Sequence, residues 1–163
     1  MDWRRWLWLS AAVIVADQVT KAAILATLRE GDGWVVTPFL SLVLTFNTGA
    51  AFSFLAAASG WQRWFFAAIA VAASILIVAL LRRGGNALYN AGLALILGGA
   101  LGNLYDRLAL GKVVDFLLFH YAGWAYPAFN IADSAITVGA ALLIIDSFRQ
   151  RHHEPAEAPK GMR

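Results

Sequence analysis

The sequence lacks cysteine altogether and contains few charged residues. The absence of cysteine from 163 residues excludes disulfides, thiolate metal sites and a cysteine nucleophile. Charged residues make up only 14% of the chain, whereas hydrophobic residues make up 60%. So few charges cannot cover the surface of a water-soluble domain of this length. The composition therefore indicates an integral membrane protein.

Histidine is scarce, and no basic cluster is present. The histidines, which are His120 and the pair His152 and His153, have no spacing that makes a metal site with the aspartates. The formal net charge of +3 comes from basic residues scattered at the ends of apolar runs, which argues against a nucleic-acid partner. No serine lies in a G-x-S-x-G turn or has an evident histidine or lysine base. The sequence therefore disfavours metal and serine chemistry.

Four apolar stretches approach the roughly 20 residues needed to cross a bilayer. They are Trp6 to Leu28, Trp64 to Leu81, Leu88 to Tyr105, and Ile131 to Ile145. The first is interpreted as a retained anchor and not as a cleaved signal peptide, because Asp17 and Lys21 interrupt it. We expect one membrane-embedded domain over residues 1–148. Residues 149–163 have no apolar pattern and are expected to form a disordered tail.

Basic residues that flank the spans predict the orientation in the membrane. On one side are Arg4, Arg5, Arg82, Arg83, Arg149, Arg151, Lys160 and Arg163, and on the other are Arg29, Arg63, Arg107 and Lys112. Cytoplasmic loops carry the excess of basic residues. The bias therefore places both termini in the cytoplasm and the ends with fewer basic residues outside.

Two segments between the spans have the pattern of β-strands. From Phe39 to Phe46 the sequence alternates, with Ser41, Val43 and Thr45 on one face and leucines and Phe46 on the other. A second strand is expected from Val113 to Phe119, which is rich in branched and aromatic residues and follows Gly111. These segments predict a small, half-buried sheet resting on the outer leaflet.

The intramembrane and interfacial polar residues are expected to meet at one depth, near the outer face. Because such groups are costly in a bilayer, each needs a partner or a function. They are Asp17 and Lys21 in the first span, Asn47 in the first outer loop, Asn103, Asp106 and Arg107 at the end of the third span, Asp115 in the second outer loop, and Asn130 and Asp133 at the start of the fourth span. This convergence is the main functional signal in the sequence.

Each polar residue also has a purely structural interpretation, which the sequence leaves open. Asp17 and Lys21 are one helical turn apart and can neutralise each other. Arg107 can reach the lipid headgroups and pair with Asp106, or it can hold a substrate backbone or phosphate together with Asn103. Gly98 and Gly102 form a small-xxx-small face that favours close packing of the third helix.

The two outer aspartates suggest acid–base chemistry. Asn130 and Asp133 form a pattern like a capping box at the start of the fourth helix, and Asp115 alone is compatible with an edge-strand charge. If the loop after Gly111 folds back over this helix, however, Asp115 and Asp133 face each other. Neighbouring carboxylates do not both ionise easily, so one supplies a general acid and the other a general base, as in aspartic proteases.

These residues lie in motifs that resemble those of bacterial lipoprotein signal peptidase, or signal peptidase II. The motifs are DQVTK from Asp17, NTGAAFS from Asn47, GGALGNLYDR from Gly98, VVDF from Val113 and FNIAD from Phe129. Their order is that of the family, and they spread over most of the chain. The resemblance implies four transmembrane helices with an extracytoplasmic β-sheet cradle. It also implies an aspartyl endopeptidase of the bacterial inner membrane that needs no cofactor.

The same resemblance implies roles for individual residues and identifies partners. Asp115 and Asp133 correspond to the family's catalytic pair, and the supporting residues correspond to Asn47, Asn103, Arg107 and Asn130, with Asp17 and Lys21 structural or substrate-orienting. The implied substrates are prolipoproteins, cut just before a diacylglyceryl-modified cysteine. Membrane lipids, cyclic peptide antibiotics of the globomycin type and a monomeric state are also implied. Two other functions remain open, namely a small proton-coupled transporter and a non-catalytic lipid-binding or assembly protein.

Overall fold

Four long helices dominate the computed structural model, which describes residues 2–48 and 60–151. They are α1 (Arg5–Thr27), α2 (Trp61–Arg83), α3 (Ala87–Ala109) and α4 (Ile131–Arg151). All four are long and apolar enough to cross a membrane, which confirms the predicted spans. The helices extend beyond most of the predicted limits, since each continues into its polar flanks.

Helix α4 covers the first residues of the predicted tail, and the remainder of the tail stays a prediction. Helix α4 continues past Ile145 through Arg149 and Gln150, so the first residues of the expected tail are helical. Charged and polar side chains do not end a helix when its backbone hydrogen bonds can continue. Residues 152–163, which include His152 and His153, lie outside the described part of the chain, and so does the NTGAAFS motif beyond Thr48.

An antiparallel sheet of four strands lies at one end of the helices. The strands, in the order in which they pair, are β1 (Gly33–Thr37), β2 (Leu40–Asn47), β3 (Val113–Tyr121) and β4 (Trp124–Ala125). The predicted strands β2 and β3 are confirmed, whereas β1 and β4 were not predicted. Gly111 has a φ of +78° in the turn before β3, a conformation that glycine adopts without strain.

The alternation predicted for β2 is wrong in detail. An irregularity in the pairing of β2 with β3 lies between Leu42 and Thr45, and the buried residues of β2 are Ser41 and Leu44. These two residues are separated by an odd number of positions, so they cannot share a face of a regular strand. A bulge of this kind inserts an extra residue and exchanges the faces. Beyond the bulge, Thr45 pairs with Asp115.

Helix α3 is the central helix of the bundle, since it contacts α1, α2 and α4. Its glycines allow this close packing. A Cβ atom on Gly98 would lie 2.7 Å from Cβ of Val13 in α1, and one on Gly102 would lie 2.8 Å from a carboxylate oxygen of Asp17. Gly99 packs in the same way against the backbone of Ala132 in α4. The close approach that the small-xxx-small pattern predicts is confirmed.

Apolar clusters fix the two ends of the bundle. At the sheet end, Ile24 of α1 and Leu28, which follows the helix directly, pack against Leu44 of β2 and Val114 and Phe116 of β3. At the other end, α1, α2, α3 and α4 contribute Trp6, Leu81, Leu93 and Leu143 to a second cluster. The sheet is therefore packed onto the end of α1, and this contact places β3 beside the polar ends of the helices.

Candidate active site

The two predicted catalytic aspartates come from neighbouring elements. Asp115 lies on β3 with 2% of its surface exposed, and Asp133 lies half-buried in the first turn of α4. Strand β3 folds back over the start of α4, where two backbone hydrogen bonds join Leu117 and Phe129. The N–H of Leu117 donates to the carbonyl of Phe129 at 2.8 Å, and the N–H of Phe129 donates to the carbonyl of Leu117 at 3.0 Å. The fold-back that the sequence analysis required is present.

Asn130 connects the two aspartates. Its side-chain amide donates to Oδ1 of Asp115 at 2.7 Å and to the carbonyl of Val114 at 3.1 Å. Its Oδ1 accepts the backbone N–H of Asp133 at 2.9 Å, and its own N–H donates to Oδ2 of Asp133 at 3.3 Å. Asn130 is therefore both the N-cap of α4, as predicted, and a hydrogen-bond donor to Asp115.

Asn103 extends this connection to α3. Its Nδ2 donates to Oδ1 of Asp133 at 2.7 Å, and its Oδ1 accepts a hydrogen bond from Asn130 at 3.3 Å. Asp115 and Asp133 are thus joined by a chain of two buried amides. Each carboxylate keeps hydrogen-bonding capacity beyond these contacts, because an ionised carboxylate has about four acceptor positions.

A buried ion cluster lies behind the amides. The Lys21 ammonium contacts Asp17 Oδ2 at 2.7 Å and Asp106 Oδ2 at 2.8 Å. Asp17 Oδ1 also accepts the N–H of Ala132 at 2.9 Å, and Asp106 Oδ2 accepts the N–H of Val114 at 3.1 Å. The cluster fastens α1 and α3 to the starts of α4 and β3.

Sequence reasoning missed two features of this cluster. The possible pairing of Asp106 with Arg107 does not occur, because the ion-pair partner of Asp106 is Lys21. Gln18, which was not selected, donates to Asp17 at 3.1 Å and to Asp106 at 2.9 Å. Its position directly after Asp17, within the DQVTK motif, was the only signal in the sequence.

Arg107 lies half-buried beside the amide chain. One guanidinium nitrogen donates to the carbonyl of Asn103 at 3.2 Å, and the guanidinium carbon lies 5.4 Å from the ring centre of Phe66 in α2. A planar guanidinium over an aromatic face is a favourable arrangement that also fixes its direction. Phe66 is a contact that the sequence analysis did not identify.

Asn47 reaches the site from the end of β2. It lies opposite Val113 in the β2–β3 pairing, and its side chain forms a hydrogen bond with Asp115. Of the predicted site residues, Asn47, Asn103, Arg107 and Asn130 thus surround the aspartates, while Asp17 and Lys21 lie behind Asn103.

Burial raises the pKa of Asp115 to about 7, and the nearby charge of Asp133 contributes to the same rise. Hydrogen bonds from Asn47 and Asn130 favour the ionised form and partly offset the increase in the pKa. Near neutral pH, Asp115 can therefore carry a proton that an ordinary aspartate would have lost.

A cavity of about 330 Å³ adjoins the site. It is lined by Tyr126, Phe129, Asp133, Ser134, Thr137 and Val138. The hydroxyls of Ser134 and Thr137 donate to the carbonyls of Asn130 and Asp133 within α4. The wall of the cavity therefore begins at the carboxylate of Asp133 and continues along α4, where it is mainly apolar.

One serine does have a histidine partner, contrary to the sequence analysis. Ser41 Oγ lies 2.9 Å from Nε2 of His120 across β2 and β3. Ser41 is buried, with 7% of its surface exposed. We interpret this contact as a cross-strand hydrogen bond. Within residues 2–48 and 60–151, no cluster of three potential metal ligands occurs.

Comparison with known proteins assigns the family. A sequence model of the family described as Signal peptidase (SPase) II matches residues 9–149. The chain belongs to this family. Lipoprotein signal peptidases from Burkholderia ambifaria strain MC40-6 and Burkholderia vietnamiensis are both 57% identical to it over 146 residues, which is 89% of this chain and 88% of each relative. The chain is therefore a peptidase of the bacterial inner membrane, with four membrane-spanning helices.

Solved structures show the same fold. One, described as a bacterial membrane enzyme at 2.3 Å resolution, superposes with a TM-score of 0.83 at 34% identity and covers 96% of this chain and 94% of its own. A second, at 1.9 Å, gives a TM-score of 0.80 at 34% identity and covers 89% and 93% of the two chains. The four-helix fold with its antiparallel sheet is therefore shared with known membrane enzymes.

Proposed function

We propose that this signal peptidase II is an aspartic endopeptidase that removes signal peptides from prolipoproteins just before a diacylglyceryl-modified cysteine. The observation that carries the proposal is the juxtaposition of Asp115 and Asp133, which are linked through Asn130 and Asn103. The lipoprotein signal peptidases at 57% identity support the substrate class.

The proposed reaction uses the two carboxyl groups in different protonation states. Ionised Asp133 accepts a proton from a water molecule as the water oxygen forms a bond to the scissile carbonyl carbon. Protonated Asp115 donates a hydrogen bond to the carbonyl oxygen, on which negative charge develops. Collapse of the tetrahedral intermediate breaks the C–N bond, and the proton held by Asp133 passes to the leaving amine. Water and peptide yield a carboxylic acid and an amine, with no acyl-enzyme.

The surrounding residues suit an extended peptide in this mechanism. Asn47, Asn103 and Asn130 hold the carboxylates, and Arg107 presents a fixed guanidinium beside them. We propose that Arg107 binds substrate carbonyls through its remaining donors. The apolar cavity beside Asp133 is positioned to receive a hydrophobic part of the substrate directly from the bilayer.

Several broader properties follow from the same proposal. Residues 1–148 act as a single monomeric peptidase domain in contact with membrane lipids, and cyclic peptide antibiotics of the globomycin type inhibit it by occupying the peptide site. A transporter is less well supported, because each of the four described helices is continuous, whereas transport sites form at broken helices. A non-catalytic role is less well supported, because a carboxyl group whose pKa is raised beside a second carboxyl group is typical of a catalytic site.

The pH dependence of cleavage tests the proposed mechanism. With purified protein and lipidated prolipoprotein, kcat/KM should fall as the pH rises through about 7, because Asp115 loses the proton that it must donate. A lipid-free prolipoprotein serves as the control substrate and should be cleaved much more slowly. A kcat/KM that increases through about pH 7 would contradict the assignment of Asp115 as the acid.

The proposal places the active site on the extracytoplasmic side and both termini in the cytoplasm. Ala125 at the sheet end and Ala87 at the opposite end are both exposed, and the chain has no native cysteine. In intact cells, an impermeant thiol reagent should label Ala125→Cys and not Ala87→Cys, while both should be labelled after lysis. Labelling of Ala87→Cys alone in intact cells would reverse the proposed orientation.

A further inference from the structure

Lys21 has no donor left for a substrate. An ammonium group has three N–H donors, and those of Lys21 are directed at Asp17 Oδ2, Asp106 Oδ2 and Asn103 Oδ1 at 2.7, 2.8 and 3.0 Å. Only 2% of the side chain is exposed. A direct role in orienting substrate, which the family resemblance leaves open, would require breaking one of these buried contacts.

The contact with Asn103 determines which way its amide points. Oδ1 of Asn103 accepts from both Lys21 Nζ at 3.0 Å and Asn130 Nδ2 at 3.3 Å. The donor end of the same amide must then face Asp133, where Nδ2 lies 2.7 Å from Oδ1. If the amide were rotated by 180°, its NH2 group would face the donors of Lys21 and Asn130, and its oxygen would face the carboxylate of Asp133. Both contacts are unfavourable in a buried site.

The ion cluster presents no net positive charge to Asp133, although Lys21 and Asp17 each interact with it electrostatically. Lys21 is neutralised by Asp17 and Asp106, so the three groups carry a net charge of −1 when all are ionised, from two acids and one base. Other charged groups that interact with Asp133 are Arg107 of α3 and Asp115 of β3. The specific link from the ion cluster to Asp133 is therefore the hydrogen-bonded path from Lys21 through Asn103.

We infer that Lys21 is a positioning residue of the active site, which fixes the amide of Asn103 so that this amide holds Asp133 in the orientation for accepting a proton. This inference rests on the proposed peptidase function. It gives the ion cluster a role beyond stabilising the bundle. Small errors in the position of a reacting group can cost about 100-fold in rate, so the loss of Lys21 should appear in kcat.

A charge-balanced variant separates positioning from stability. Lys21→Met alone would leave two buried acids without their cation. Lys21→Met combined with Asp106→Asn instead keeps the net charge of the cluster at −1, which is then carried by Asp17. The reference is the single variant Asp106→Asn, which retains Lys21 beside Asn103. We expect kcat of the double variant for lipidated prolipoprotein to fall about 100-fold relative both to this reference and to the unmodified enzyme, whose cluster has the same net charge of −1, with KM changed only a few-fold.

Two further variants complete the test. Lys21→Arg keeps the charge and several donors, and a cavity of about 220 Å³ beside Lys21 gives the larger side chain space, so it should retain most of kcat. If the Met variant is not recovered in folded form, Lys21→Gln in the Asp106→Asn background replaces it. The glutamine amide is one bond shorter than the lysine ammonium and cannot span Asp17 and Asn103 together, so the same loss is expected.

A kinetic cycle tests whether Lys21 acts through Asn103. In an Asn103→Ala background, the further change of Lys21 should cost little, because the path is already broken. Equal kcat values for folded Asp106→Asn and its Lys21→Met derivative would overturn the inference and leave the peptidase function intact. Failure of the unmodified enzyme to cleave lipidated prolipoprotein would instead contradict the proposed function itself.

Discussion

Asp133→Asn should reduce kcat for lipidated prolipoprotein by roughly 10³-fold or more, while the protein still inserts and folds. The amide has nearly the same size, and its single carbonyl oxygen keeps one of the two hydrogen bonds that the separate carboxylate oxygens accept from Asn103 and Asn130. It cannot accept a proton from water, and general acid–base groups that act as a unit account for losses of this size. The measurement is single-turnover cleavage with purified, detergent-solubilised protein.

Asp146 supplies a matched control on the same helix. It is 4% exposed near the far end of α4 and accepts hydrogen bonds from Asn86 and Gln150. Asp146→Asn should leave kcat within a few-fold of the unmodified value. If Asp133 were only a helix-start residue, Asn at this position would cost about 1 kcal/mol or less of stability and leave turnover intact. Near-normal turnover by Asp133→Asn would therefore support the structural interpretation.

Asn130→Ala should impair both stability and turnover. The change removes the N-cap of α4, the donor to Asp115 and the partner of the Val114 carbonyl, all within a fully buried site. Losing a cap costs about 1 kcal/mol, and leaving a buried acceptor unpaired costs about 1–3 kcal/mol more. Because Asp115 also loses its positioning contact, kcat should fall about 100-fold.

Asn86 is the corresponding control, since it is the N-cap of α3 at the opposite end of the bundle. Its side chain accepts the N–H of Tyr89 at 3.0 Å. Asn86→Ala should lower the thermal unfolding temperature and leave the kcat of the folded protein unchanged. If Asn130→Ala and Asn86→Ala lost the same stability and both kept an unchanged kcat, Asn130 would act only as a helix cap.

The sequence predicted the helices and the two longer strands because their signals are strong. Apolar stretches near 20 residues have few alternatives, and β3 combines branched and aromatic residues over its length. Strand β1 is short and mostly exposed, so its residues show no burial pattern. The bulge in β2 depends on pairing with β3, which is not encoded in local alternation.

The sequence predicted which segments come together at the candidate site, but it did not predict which side chains contact each other there. Asp106 and Arg107 are adjacent in sequence, which suggested an ion pair. Consecutive side chains on a helix point about 100° apart, and Asp106 faces Lys21 in α1 instead. The contact of Ser41 with His120 likewise joins residues far apart in the chain. Such contacts follow from packing, which the spacing of single residues does not specify.

Whether Asp115 and Asp133 form one catalytic unit is tested most directly by replacing both residues together. Cleavage of lipidated prolipoprotein is measured for Asp115→Asn, Asp133→Asn and the double variant under single-turnover conditions. Each single variant should lose nearly all activity, and the double variant should be no slower than either single variant, because removing one partner already disables the pair. Additive losses, or turnover within a few-fold of the unmodified enzyme for either folded single variant, would show that the two aspartates do not act as one catalytic unit.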